Sequence, residues 1–175
     1  MKEVYLNGEI GYAKAFGTGV TDDKAVFPFV PAMIENYVGE RPTLRNGPIY
    51  SLVEEETRAE FLNRLPELVL KPREWYCAQE MLVGLEASPE HIDEAIRRVK
   101  QDPAGFVAQE CLDFSTHVTH DSRDESEEAF VDLRAFVPPV LDHVMVGGLT
   151  RVARPGTRVV NSSAGGSSKD TWVLA

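Results

Sequence analysis

The apolar residues of this chain cluster in short runs whose spacing predicts strands alternating with helices. Five runs are either almost wholly apolar or alternate apolar and polar positions with a period of two, as strands do. These predicted strands cover residues 48–52, 68–71, 81–84, 105–110 and 130–137. The predicted strands 68–71 and 81–84 are close enough to pair as a hairpin. On the predicted strand 130–137, Asp132 and Arg134 share one face.

Helical spacing and capping residues predict two longer helices. Residues 54–65 place Phe61 and Leu65 opposite a charged side, and Pro66 ends that helix. A second helix begins with Ser88 as N-cap and Pro89 in its first turn, and a proline at 103 stops it. Near the N-terminus, an N-cap at residue 21 or 22 and two prolines predict two short helices, 22–27 and 32–37.

The C-terminal third predicts further antiparallel strands. Residues 140–146 continue the sheet, and the runs 149–153 and 157–160 form a hairpin. The two runs of the hairpin are joined by Arg154-Pro155-Gly156, a sequence that suits a type II turn. Several antiparallel strands with a few helices and no sustained strand–helix–strand alternation predict an α+β fold.

Composition bounds the class of protein. At 175 residues and 43% apolar content the chain can bury one core, so we expect a single domain over residues 1–175. Its net charge of −10 argues against nucleic acid as a partner. No apolar run is long enough for a membrane span or a signal peptide. Cys77 and Cys111 have no metal-binding spacing and are expected to be reduced thiols, so the expected location is the cytoplasm.

Two positions are candidates for binding chemistry. Lys71 follows three apolar residues at a strand end, where α/β sheets place ligands, although a solvated lysine is an equal alternative. Residues 161–170, with Gly165 and Gly166, predict a backbone concavity for an anion in which Lys169 and Arg151 converge. A flexible glycine–serine tail is the alternative.

The acidic segment 113–128 contains His117 and His120, a pair with a spacing that some metal sites use. No third ligand accompanies the pair, so a solvated loop is the favoured interpretation.

The order of several short motifs resembles the circularly permuted ATP-grasp family, type 2, whose members are related to glutathionylspermidine synthetase. The resemblance covers nearly the whole chain. The motifs are DDK at 22–24, VLKP at 69–72, VAQE at 107–110, DLRAFV at 132–137, GGLTRVA at 147–153 and VVNSSAGGSSKDTWVL at 159–174.

The resemblance implies an ATP site in a cleft between two α+β lobes and a carboxylate–amine ligase of bacterial type. Lys71 resembles the lysine that contacts the nucleotide phosphates, and Gln109 and Glu110 resemble the hinge beside adenine and ribose. Arg134, Arg151 and Asn161 resemble the catalytic residues that face the transferred phosphoryl group. Lys169, Gly165 and Gly166 belong to the last motif and are expected to bind the cofactor.

Two departures from the family pattern shape the functional hypotheses. Relatives follow Lys-Pro with a glycine-rich loop, whereas residues 73–80 contain no glycine. The carboxylates that bind Mg²⁺ in the family are expected outside this chain, which we therefore expect to be a partial domain. The hypotheses are an ATP-dependent ligase with unknown carboxylate and amine substrates, an ATP- or anion-binding module without catalysis, and a non-catalytic structural domain.

Overall fold

Two four-stranded antiparallel sheets form the framework of the protein. The computed structural model describes residues 2–11, 17–73, 81–120, 126–138, 143–161 and 165–174. The first sheet has the strand order β1-β4-β2-β3 and the second has the order β5-β6-β7-β8. The strands are β1 (Ile49–Ser51), β2 (Leu68–Pro72), β3 (Leu82–Val83), β4 (Phe106–Glu110), β5 (Thr116–His120), β6 (Ser126–Ala135), β7 (Gly148–Val152) and β8 (Ser167–Lys169).

Within the described ranges, four α-helices accompany the sheets: α1 (Lys2–Leu6), α2 (Val30–Val38), α3 (Glu55–Asn63) and α4 (Pro89–Gln101). Short 3-10 helices cover Thr18–Asp22, Phe27–Phe29, Leu65–Glu67, Gly84–Glu86 and Pro103–Gly105. Ser88 caps α4, because its hydroxyl accepts a hydrogen bond from the amide of His91 at 3.4 Å. The mixed α+β architecture predicted from the sequence is therefore confirmed.

The main core lies on one face of the first sheet, against α3 and α4. Leu68 and Leu70 of β2 point into it together with Phe61 of α3 and Val99 of α4. Because side chains alternate along a strand, Lys71 points to the opposite face of the same sheet. The burial that fixes β2 in the core thus also sets the direction of Lys71.

The predictions for the first sheet and its helices are confirmed. Strands lie within 48–52, 68–72, 81–84 and 105–110, and β2 and β3 pair antiparallel as the predicted hairpin. Helices α3 and α4 also lie where spacing and capping placed them.

The N-terminal helix prediction is wrong in its boundaries. A 3-10 helix ends at Asp22, and α2 begins at Val30, so neither predicted helix has its expected limits. Pro31 lies in the first turn of α2, where its missing amide hydrogen leaves no intrahelical bond unmade. Pro31 thus lies inside the first turn of α2, whereas the predicted helix began only after it, at residue 32.

The predicted hairpin at the C-terminal end is only half correct. The turn forms, with Gly156 at φ 76° and a 3.2 Å bond from the Thr157 amide to the Arg154 carbonyl. Residues 157–160, however, are not a strand. Strand β7 pairs instead with β6 and with Ser167–Lys169, so the polar residues of β8 occupy the edge assigned to the second run.

Two further sequence predictions need correction. His117 and His120 lie on β5, which pairs with β6 along its whole length, so this part of 113–128 is a strand and not a solvated loop. Residues 143–146 form no strand, while 139–142 lie outside the described residues. Residues 74–80, which stand where relatives have the glycine-rich segment, also lie outside the described residues.

Candidate functional site

A cavity of about 320 Å³ lies between the two sheets. The first sheet contributes residues of β2, β3 and β4, and the second contributes Asp132 of β6 and Arg151 of β7. The segment 158–161 closes one side, and Lys24 reaches in from the N-terminal part. The arrangement brings several charged residues from distant parts of the chain around one open cleft.

Lys71 is the central cation of this cavity. Its ammonium donates a short hydrogen bond to the side-chain oxygen of Gln109, which is only 9% exposed. Burial lowers the pKa of Lys71, and the neighbouring charge of Lys24 lowers it further. The structure thus brings two of the sequence-predicted residues, Lys71 and Gln109, into direct contact on the cavity wall.

Lys24 is a cavity residue that the sequence analysis did not single out. Its ammonium donates to the carbonyl oxygen of Arg73 at 3.3 Å, and burial lowers its pKa. Its neighbour Asp23 accepts from Arg73 Nε at 2.8 Å and from Nη2 at 2.5 Å. These hydrogen bonds hold the pKa of Asp23 at about 2. Lys24 belongs to the DDK motif of the family resemblance, but the only structural prediction made for this stretch was the start of a helix.

Arg151 and Asp132 form a second charged feature of the cavity wall. They are register partners on β7 and β6, and the guanidinium donates to both carboxylate oxygens, with Nε at 2.8 Å from Oδ1. This pairing raises the pKa of Arg151 above its usual value. Asn161 lines the same space, and its carbonyl oxygen accepts from the Gly166 amide at 3.2 Å.

Glu110 also reaches the cavity, although its carboxylate is held elsewhere. Arg64, at the end of α3, donates from Nη2 to both carboxylate oxygens at 3.1 and 3.0 Å. The hydroxyl of Tyr50 donates to the same group at 3.3 Å. These contacts fix the end of β4, the segment that was predicted to form the hinge beside the nucleotide.

Arg158 is a second cavity residue that the sequence analysis missed. Its guanidinium lies 4.8 Å from the centre of the Phe130 ring and 3.7 Å from the carboxylate of the exposed residue Asp113. The proline–glycine turn before it gave no indication that this residue would line the cavity.

Four predicted site residues lie outside the cavity lining: Arg134, Lys169, Gly165 and Gly166. Arg134 is exposed on β6. Lys169 donates to the carbonyl oxygen of Val118 on β5, and it is the register partner of Thr150, the neighbour of Arg151. Paired residues on neighbouring strands point to the same face, so Lys169 shares the face of Thr150. Arg151 follows Thr150 on β7 and points to the opposite face, so the prediction that Lys169 and Arg151 converge on one site is wrong.

The described residues contain no preformed three-ligand metal site. Among them no three side chains of His, Cys, Asp or Glu are grouped in a way that could hold a metal ion. The two cavity carboxylates, Asp132 and Glu110, are each bound by an arginine. The histidine pair on β5 likewise has no third ligand within this part of the chain.

No helix in the described ranges has both the length and the apolarity needed to cross a membrane.

Three relatives show what this chain is similar to. An uncharacterised protein of Synechocystis is 44% identical over 99% of this chain, and the match covers 37% of that protein. A Frankia casuarinae protein named "Putative glutamate--cysteine ligase 2-2" is 41% identical over 94% of this chain and 19% of its own length. An uncharacterised Mycobacterium bovis protein is 43% identical over 96% of this chain and 31% of its own.

This chain therefore spans less than two fifths of each of these relatives. The sequence model of one family, circularly permuted ATP-grasp type 2, matches residues 1–153. That match covers most of the chain and includes the motifs around Lys24, Lys71, Gln109 and Arg151. The protein belongs to the circularly permuted ATP-grasp type 2 family.

Proposed function

We propose that this chain supplies the nucleotide-binding part of an ATP-dependent carboxylate–amine ligase. The observation that supports this function is the cavity between the sheets, where Lys71, Lys24 and Arg151 surround a space bounded by the end of β4. Cations on several walls of one cavity suit a polyphosphate, whose charge is spread over many oxygens. On this proposal the cavity is the nucleotide cleft, and residues 1–175 are a partial ATP-grasp domain of a cytoplasmic enzyme.

The proposed reaction has two steps. A substrate carboxylate attacks the γ-phosphorus of ATP, which forms an acyl phosphate and releases ADP. An amine then attacks the acyl carbon, forms the amide bond and releases phosphate. Lys71 and Lys24 would hold the phosphates, and Arg151 and Asn161 would face the transferred group. Phosphoryl transfer depends mainly on positioning and positive charge, which these side chains supply.

Roles remain for the residues outside the cavity lining. Arg134 would approach the carboxylate substrate from the exposed end of β6, and Lys169, with Gly165 and Gly166, would keep β8 against β7. Gly166 fits this position because a Cβ there would lie 2.5 Å from the Val152 carbonyl oxygen. No step is assigned to Mg²⁺, since the two cavity carboxylates, Asp132 and Glu110, are each paired with an arginine.

The relative from Frankia suggests which substrates to test first. Its name specifies glutamate and cysteine, and these supply the carboxylate and amine that the proposed chemistry requires. The expected product is a dipeptide, formed with one ADP and one phosphate per bond.

Nucleotide binding is tested by thermal unfolding with and without Mg-ATP. A ligand at a hundredfold its dissociation constant adds about 2.7 kcal/mol to the unfolding free energy, which raises the melting temperature by several degrees. We expect Lys71→Ala to abolish the rise, while Lys100→Ala on the surface of α4 leaves it intact. An unchanged rise in Lys71→Ala would refute the assignment of Lys71.

Turnover is tested separately by ADP release in the presence of glutamate and cysteine, with a protein that also contains the part of the family expected to carry the Mg²⁺ carboxylates. Release that requires both substrates supports the ligase. If ATP binds but no ADP is released with any amine acceptor, the chain is the binding module instead. If ATP has no effect on stability, the chain is a structural domain.

A further inference from the structure

Lys71 is a half-buried lysine whose ammonium has an uncharged hydrogen-bond partner. The partner is the side-chain oxygen of Gln109. Among the described residues no salt bridge reaches Lys71, and the charge that lowers its pKa is the like charge of Lys24. A desolvated ammonium is usually paired with a carboxylate, so the neutral partner is unusual.

Gln109 is held in place by close packing on its other side. A Cβ on Gly47 would lie 2.8 Å from the amide nitrogen of Gln109 and 3.1 Å from two carbons of Leu112. Gly47 has no Cβ, so the amide can lie against its backbone with the oxygen towards Lys71. Gly47 directly precedes the stretch leading into β1, which pairs with β4 at Gln109.

We infer that Gln109 is a positioning residue for Lys71: its amide, seated against Gly47, fixes the ammonium in the cavity without neutralising it. A carboxylate at this position would satisfy the ammonium internally and compete with an incoming anion. The neutral amide orients the same donor and leaves its charge for a ligand. This role for Gln109 differs from the adenine contact that the family resemblance implies.

The bound anion therefore serves as the counterion of Lys71. Anion binding is for this reason linked to protonation of the lysine. An anion favours the charged form, so its binding raises the pKa of Lys71 and draws in a proton wherever the lysine is partly neutral. The other charged or titratable groups around the cavity are Lys24, Glu110, Cys111, Asp132, Arg151 and Arg158.

The first test measures the pKa of Lys71 without any ligand, so it does not depend on the proposed function. The Lys71 side-chain carbon signals are followed by NMR against pH, assigned with Lys71→Arg. Wild-type Lys71 should titrate below the ordinary lysine value. Gln109→Met removes the acceptor and should lower that pKa further, and Gln109→Glu adds a negative charge and should raise it. The same midpoint in all three proteins would overturn the inference.

The second test rests on the proposed function and uses Mg-free ATP, titrated by calorimetry in buffers of different ionisation enthalpy. Gln109→Glu should weaken binding by about tenfold, because the ammonium already has a counterion, and it should reduce proton uptake at the pH of the wild-type Lys71 midpoint found by NMR. Gln109→Met should lose its affinity at a lower pH than wild type. Unaltered affinity and proton uptake in Gln109→Glu would refute the inference. If wild type does not bind ATP, the proposed function is refuted. The inference about Gln109 is then decided by the order of the Lys71 pKa values in the NMR test.

Gly47→Ala provides an independent variant that leaves both Lys71 and Gln109 in the chain. The new methyl group meets the end of a flexible side chain, so the amide should rotate away while the fold persists. Gly47→Ala should therefore shift the Lys71 pKa in the direction of Gln109→Met. Gly19→Ala is the matched control, because nothing lies within 4 Å of its added Cβ. An unshifted pKa in folded Gly47→Ala would contradict the role of Gly47.

Discussion

Arg151 and Asp132 lie directly opposite each other on β7 and β6, and the guanidinium binds both carboxylate oxygens. The side chains are 19% and 23% exposed, so water screens the pair only in part. The pairing has two consequences. It fixes the planar guanidinium against the cavity wall, and it occupies a carboxylate that would otherwise repel an anion.

Asp132→Asn should separate these two consequences. The amide retains an acceptor for Arg151 but loses the charge, so the unfolding free energy should fall by about 1–3 kcal/mol. Phosphate or ATP affinity should rise, because Arg151 is no longer neutralised. Urea unfolding and calorimetric titration measure the two effects. Glu94→Gln removes the carboxylate of an exposed pair with Arg97 and should cost less than about 1 kcal/mol. A fall in both stability and anion affinity in Asp132→Asn would contradict this account.

The pair between Asp23 and Arg73 predicts a loss of stability in acid. Arg73 lowers the pKa of Asp23 from 3.8 to about 2 in the folded protein. A lowered folded-state pKa adds stability that is complete above the unfolded value and lost as pH falls towards about 2. Wild type should thus exceed Asp23→Asn in urea midpoint at pH 6, and the difference should shrink between pH 4 and pH 2. Asp93→Asn, on the exposed side of α4, is the control. A difference that stays constant over this range would exclude the pair as its cause.

The first sheet and its two long helices could be predicted because their signals are local. Strand β2 is a run of apolar residues, and α4 has an N-cap serine, a proline in its first turn and apolar residues at helical spacing. Strands β5 and β8 gave no such signal. Their sequences, THVTH and SSK, are polar and exposed, and they become strands because β6 and β7 offer edges to pair with.

The candidate site was predictable only in part for a similar reason. The position of Lys71 follows from alternation along one strand, so the sequence indicated it. Lys24 reaches the cavity through the pairing of its neighbour Asp23 with Arg73, fifty positions away, and periodicity carries no information about that contact. The face on which Lys169 lies depends on the register of β8 against β7, which the glycine–serine composition does not specify.

Gly84→Ala should destabilise the first sheet. A Cβ at Gly84 would lie 2.0 Å from the Leu65 carbonyl oxygen and 2.8 Å from that of Pro66, and neither backbone group can move without disturbing the core. We expect a loss of about 1–3 kcal/mol in unfolding free energy, measured by urea unfolding. Gly19→Ala should change it little, because the added methyl group meets nothing within 4 Å. Equal values for the two variants would contradict the close approach at Gly84.

Glu86 links the 3-10 helix after β3 to the segment that contains Thr157 and Arg158. One carboxylate oxygen accepts from the Arg158 amide at 2.5 Å and the other from the Thr157 hydroxyl at 3.1 Å. Glu86→Ala should expose the Arg158 amide to hydrogen exchange and cost about 1–2 kcal/mol. Glu86→Gln should retain most of the protection, because its oxygen can accept from the amide while the hydroxyl rotates to accept from its nitrogen. Glu56→Ala, on the surface of α3, should leave this exchange unchanged. Equal loss of protection in Glu86→Gln and Glu86→Ala would mean that charge, and not the hydrogen bond, holds this segment.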